Sequence, residues 1–128
     1  MTSPLSRTAL LAALLPLAAA AFAQTPPTEF PPDAQAVTVD SVKALAGKKF
    51  VGKRADGKTW TMDFGADDYY RLSFDGGILD GKVRVDGARL CQDMRKSVES
   101  SCNDVRLKDN ALYYKRNSNG EVVTLVAQ

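Results

Sequence analysis

From Lys48 to the C-terminus, apolar and polar residues alternate in short runs, a period of two that predicts half-buried β-strands. The runs cover 48–54, 59–64, 69–74, 79–85, 88–94, 102–107, 111–116 and 121–126. Turn-forming pairs stand between them: Asp56-Gly57, Gly76-Gly77, Asp86-Gly87, Asp109-Asn110 and Asn119-Gly120. That spacing predicts a meander in which each strand pairs with the next. The expected fold class is all-β, a small antiparallel meander closed or nearly closed into a barrel of about eight strands, with one short N-terminal helix.

Opposed residues must share a face, so each hairpin fixes a register. A loop at 55–57 sets Phe50 opposite Met62, Gly52 opposite Trp60, and Lys49 opposite Asp63. Placing Met62 opposite Leu72 sets Trp60 against Phe74 and Asp63 against Arg71. A two-residue turn at Asp86-Gly87 sets Val83 opposite Leu90. It also puts Arg84 opposite Arg89, a like-charge pair that argues for a shifted register there. Turns at 109–110 and 117–120 set Leu107 and Val105 against Leu112 and Tyr114, and those two against Leu125 and Val123. The expected inner face is Phe50, Trp60, Met62, Phe64, Tyr70, Leu72, Phe74, Val83, Val85, Leu90, Val105, Leu107, Leu112, Tyr114, Val123 and Leu125. So many large side chains predict a filled interior.

Upstream, the periodicity changes. Asp40 to Ala46 suits a short helix, with Asp40 as cap, Val42 and Leu45 on one side, and Gly47 as the stop. Such a helix must lie on the sheet or close one end of the barrel. Residues 24–37 contain Pro26-Pro27 and Pro31-Pro32 and read as a Pro-rich linker. Residues 1–23 have the three parts of a cleavable signal peptide: Arg7, an apolar run from Ala9 to Ala21, and Ala21-Phe22-Ala23 before Gln24. The apolar run is shorter than the about 20 residues a spanning helix needs. No cysteine lies near the cleavage point, so no lipid anchor is expected. The expected organisation is therefore 1–23 signal peptide, 24–37 linker and 38–128 a single β-domain, with a periplasmic destination.

Removing 23 of the 128 residues leaves 105 and takes away one charged residue, Arg7, bringing the formal charge from +2 to +1. A near-neutral balance without a basic stripe predicts no nucleic-acid binding and no stable membrane insertion after cleavage. The two cysteines, Cys91 and Cys102, are separated by a polar stretch suited to a loop. Pairing them sets Arg89 opposite Asp104 and Ala88 opposite Val105. By parity the bridge then lies on the outer face. In an oxidising compartment a structural disulfide is the expected use of such a pair.

The sequence contains no histidine. This removes Ser-His and Cys-His nucleophilic chemistry and imidazole-ligated metal sites. No catalytic, metal or cofactor site is expected. The remaining candidates have ordinary structural explanations beside them. Asp67-Asp68-Tyr69 is an acidic cluster that could bind Ca²⁺ weakly or act as an acid–base carboxylate pair, but Asp is also a favoured turn residue. Asp75-Gly76-Gly77 to Asp80-Gly81 reads as turn chemistry. Trp60, Tyr69, Tyr70, Tyr113 and Tyr114 could form a binding platform. Parity sends Trp60, Tyr70 and Tyr114 to the core, however, and sets Tyr113 near Arg106 for a cation–π contact.

The motifs Leu45-Ala-Gly-Lys, Asp56-Gly-Lys-Thr-Trp60, Asp63-Phe64, Asp80-Gly81-Lys-Val-Arg-Val-Asp86-Gly87-Ala-Arg-Leu90-Cys91, Cys102-Asn-Asp-Val105 and Leu112-Tyr-Tyr-Lys resemble a pattern in small exported proteobacterial β-proteins of unknown function. The resemblance covers residues 40–126 and implies a helix entering a β-meander with a late cysteine pair. It carries no activity. The expected function is a small non-catalytic binding or inhibitor-type module for an unknown protein or small molecule in the periplasm. The alternatives are a lipocalin-like carrier of an apolar ligand and a hydrolase using Asp67 and Asp68.

Overall fold

Alternation in eight runs becomes eight strands, each hydrogen-bonded to its sequence neighbour. The structure, a computed structural model, describes residues 25–95 and 100–128; the expected signal peptide lies outside them. A two-residue strand β1 (Gln35–Ala36) and helix α1 (Val39–Lys43) come first. The meander follows as β2 (Lys49–Lys53), β3 (Thr59–Phe64), β4 (Tyr69–Phe74), β5 (Gly77–Asp86), β6 (Arg89–Met94), β7 (Ser101–Lys108), β8 (Ala111–Lys115) and β9 (Val122–Ala127). The last strand returns to the first, Val51 facing Val126, so β2 to β9 form a closed antiparallel barrel.

The registers expected for β2–β3, β3–β4, β7–β8 and β8–β9 hold at Phe50–Met62, Met62–Leu72, Val105–Tyr114 and Leu112–Leu125. The β5–β6 register is shifted as the clash of Arg84 and Arg89 suggested. Leu90 faces Val85 instead of Val83, and Arg84 faces Cys91. This turn runs through Gly87-Ala88, and the shift keeps every side chain on its expected face because each strand is still read in steps of two.

The interior is filled. Met62, Tyr70, Leu90, Val105, Leu112 and Leu125 have no exposed surface, and Phe50, Phe64 and Val83 nearly none. Phe74 departs from expectation: it is 36% exposed, because β4 carries it past the last β3–β4 pair, Thr61–Ser73. Gly81, read as part of a turn, lies inside β5, and a Cβ there would meet the Asp93 carbonyl oxygen at 2.2 Å. Gly52 is equally close to the Thr124 carbonyl oxygen. Each glycine allows close backbone approach on the inner face, and each faces a large aromatic residue, Trp60 opposite Gly52 and Tyr70 opposite Gly81.

Helix α1 plugs one end of the barrel with Val42, joined by Leu45 just beyond it. Its cap is Thr38 rather than Asp40. The Thr38 backbone is extended, its Oγ1 accepts from the Ser41 N–H at 3.1 Å, and the Ser41 Oγ accepts from the Thr38 N–H at 2.8 Å. Such a reciprocal capping box satisfies two donors at once, and Asp40 within the first turn adds favourable negative charge. Gly47, at φ 83°, ends the excursion and donates to the Phe64 carbonyl at 2.7 Å.

The proline-rich stretch lies along the barrel wall. The Val122 N–H donates to the Pro27 carbonyl at 2.7 Å, Phe30 sits under the Arg106 guanidinium, and Asp33 pairs with Lys108 at 2.6 Å. Strand β1 then pairs with Arg106 and Leu107, beyond the point where β6 leaves the β7 edge at Asp104. Ala34 and Val37 are buried beside it.

Candidate functional site

Two regions hold the residues singled out from the sequence. The first is a cleft between α1 and the β4 and β5 strands. The turn before β4 is tight, with Asp67 and Asp68 both at left-handed φ, 55° and 62°. Asp tolerates that conformation through its short polar side chain. The backbone, rather than the carboxylates, ties the turn to β5. The Lys82 ammonium donates to the Asp67 carbonyl at 2.5 Å, and the Val83 N–H donates to the Asp68 carbonyl at 2.9 Å. Both aspartates are exposed. They line a cleft of about 280 Å³ with Val42, Lys43, Phe64 and Tyr69. A second hollow of about 210 Å³ adjoins it across Asp68, floored by Val83 and Val85 and edged by the half-exposed Val39. Apolar floor and charged rim together suit the docking of a partner group; a cleft this size is below the usual range for an enclosed ligand pocket.

The second region is the opposite end of the barrel. Trp60 packs edge-on against Tyr114, centroids 5.5 Å apart, and the Arg54 and Arg116 guanidinium groups each lie 5.7 Å from its ring. Arg54 is also bonded to Asp56, whose carboxyl that hydrogen bond lowers to about 2. Glu121 is buried there. It accepts from the Ala55 N–H at 3.1 Å and lies 3.7 Å from Arg116, so one carboxylate ties the β2–β3 loop to the β8–β9 turn. Sequence reading missed Glu121, having placed it at the head of a strand.

The aromatic candidates therefore divide. Trp60, Tyr70 and Tyr114 are core, as parity requires, and burial pushes both phenols up. Tyr69 donates to Asp80 at 3.1 Å and carries Arg95 over its ring at 6.0 Å. Tyr113 faces Arg106 in the ladder, but the Arg106 guanidinium lies over Phe30 at 4.6 Å, the proline-rich stretch having supplied a nearer ring.

Cys91 and Cys102 face each other across β6 and β7 and are bonded, with Arg89 opposite Asp104 as the pairing required. By strand parity the bridge is on the outer face, beside the ion pairs Arg84–Asp93 at 3.0 Å and Arg89–Asp104 at 3.8 Å, although Cys91 itself has no exposed surface and Cys102 is half-buried. A hydrogen bond from Ser100, aided by Arg84, holds the Asp93 carboxyl below its ordinary range. The Asp86 carboxylate lies within 4.8 Å of both sulfurs, but sulfurs joined to each other offer a metal no thiolate. On the inner side of the same strands stand Gln92 and Asn103, both buried, and Ser101, partly so. The alternation of Leu90, Gln92 and Met94 held that signal, since it sends Gln92 inward with its apolar neighbours.

Among the described residues no helix is long and apolar enough to cross a membrane. A disulfide fits an oxidising compartment. Comparison of the chain with family models, curated proteins and solved structures found no match.

Proposed function

We propose that the protein is a small exported binding module of the periplasm, without catalytic chemistry of its own, that engages a protein or small-molecule partner through the cleft beside α1. The observation that carries this reading is the filled interior: Met62, Tyr70, Leu90, Leu112 and Leu125 occupy the barrel with no exposed surface, which leaves recognition to the outside. The exposed Asp67 and Asp68 support a role at a docking rim over a role as a buried acid–base pair. Closure and the Cys91–Cys102 bridge make the scaffold rigid, which lowers the ordering cost of association. Export rests on the expected signal peptide together with the disulfide.

Photo-crosslinking in cells that export the protein tests the reading. A photoreactive side chain at Val39 or Asp68 is expected to give a discrete adduct, and one at Ile78, at the other end of the barrel, is not. An apolar molecule that co-purifies with the mature protein in native mass spectrometry and is displaced by a bulkier side chain placed in the interior would instead establish the carrier reading. Equal labelling from all three positions would remove the α1 cleft as the site.

A further inference from the structure

An apolar barrel wall would be the cheapest solution on the inner face of β6 and β7, yet Gln92, Ser101 and Asn103 face inward there. Gln92 is 3% exposed and central to the group. Its Oε1 accepts from the Ser101 hydroxyl at 3.2 Å and from the Tyr114 hydroxyl at 3.5 Å, and its Nε2 donates to the Tyr70 hydroxyl at 3.3 Å. Gly81, paired with Tyr70 on the adjacent strand, lets the β6 backbone at Asp93 and Met94 come close to β5 beside this group. All three bonds are longer than the usual roughly 2.7–3.0 Å, so the group is slack.

Asn103 adds the decisive observation. It is 3% exposed, and its Nδ2 donates to the Lys115 carbonyl at 3.0 Å. Its Oδ1 meets no donor among the described residues. Turning the amide over would not repair this, because Oδ1 would then face the Lys115 carbonyl, acceptor against acceptor. The register places Asn103 opposite Leu90, one inward position from the Gln92–Ser101 pair and one from Val105, which faces Tyr114. A buried amide oxygen is normally satisfied by protein or by ordered water.

We propose that the interior of the barrel along β6 and β7 is a built site for one small neutral hydrogen-bond donor, an ordered water, which donates to Asn103 Oδ1 and is held by the Gln92, Ser101 and Tyr114 group. The chemistry favours a neutral occupant. All of these side chains are uncharged, and a hard cation would call for carboxylate or several carbonyl ligands. A water can both give and accept, which suits a cluster in which acceptors and hydroxyl donors alternate. The site lies directly behind the disulfide, so the wall that is bridged outside is hydrated inside.

Water-to-protein ROE spectroscopy on the oxidised mature chain tests the proposal. Long-lived water cross-peaks to the side-chain amides of Asn103 and Gln92 are expected. They should vanish at Gln92 in a folded Asn103→Leu variant and weaken in Ser101→Ala, the milder change if Asn103→Leu does not fold. A high-resolution crystal structure should place the water within hydrogen-bond distance of Oδ1. Absence of the cross-peaks in the unaltered protein, or a protein donor from residues 96–99 on Oδ1, would overturn the site.

Discussion

The two sides of the barrel are held by different means. Where α1 closes it, Val42, Leu45, Phe50, Phe64 and Val83 meet in the apolar core, to which β6 and β7 contribute Leu90 and Val105 as buried members, and the helix that completes it is fixed by its Thr38–Ser41 cap. Across the β6–β7 wall, Gln92, Ser101 and Asn103 take inward positions, and the strands are joined by a covalent bond outside. Hydrophobic burial is strong but needs apolar side chains at every inward position. A wall that gives up three such positions needs another source of stability, and the disulfide supplies it.

The largest expected effect lies in the apolar part. Met62→Ala removes a side chain with no exposed surface and should cost about 2–5 kcal/mol, read by denaturant unfolding with an unchanged m-value. Cys91→Ser should cost about 3 kcal/mol and lower the Tm by roughly 10–20 °C. It leaves the far-UV circular dichroism of the folded state intact, because no inward side chain changes. If Cys91→Ser were neutral while Met62→Ala was severe, the polar wall would need no staple and the contrast would fail.

Thr38→Ala should cost about 1 kcal/mol. It should be visible as faster amide exchange in Val42 to Leu45 before any change at Cys91 or Cys102. The smallest effect concerns the proline-rich stretch. The Lys108 ammonium beside Asp33 holds that carboxyl below its ordinary value of 3.8. A depressed carboxyl contributes its full stabilisation above that ordinary value and loses it as pH falls through the lowered one. Exchange protection at Gln35 and Ala36 should therefore decline below about pH 4, ahead of the barrel, and high salt should weaken the same contact because Asp33 and Lys108 are solvent-exposed partners.

The sequence disclosed most of the barrel because alternation and cross-strand pairing constrain each other. Phe50–Met62 and Val105–Tyr114 followed from turn lengths, and the β6–β7 register from pairing Cys91 with Cys102. The β5–β6 shift announced itself as a clash of Arg84 with Arg89. Less legible was anything that depends on more than one hairpin. Gly81 reads as a turn residue because glycine usually is one; its role in a close strand approach needs β6 alongside. The proline-rich stretch reads as a spacer because prolines cannot donate. Its docking depends on Phe30 finding Arg106 and on the β7 edge left by β6, both remote in sequence. The site was least legible of all. Asp67 and Asp68 were visible as a cluster, but the cleft they line is made by α1 and β5 arriving from either side.

The most direct measurement is residue-resolved hydrogen exchange on the folded protein before and after reduction of the disulfide. The account predicts that amides of 89–94 and 101–104 lose protection first, while Phe50, Val51, Thr61, Met62 and Leu125 keep theirs. Uniform loss across both groups, or no change at β6 and β7, would contradict the claim that the covalent bond stands in for apolar packing along that wall.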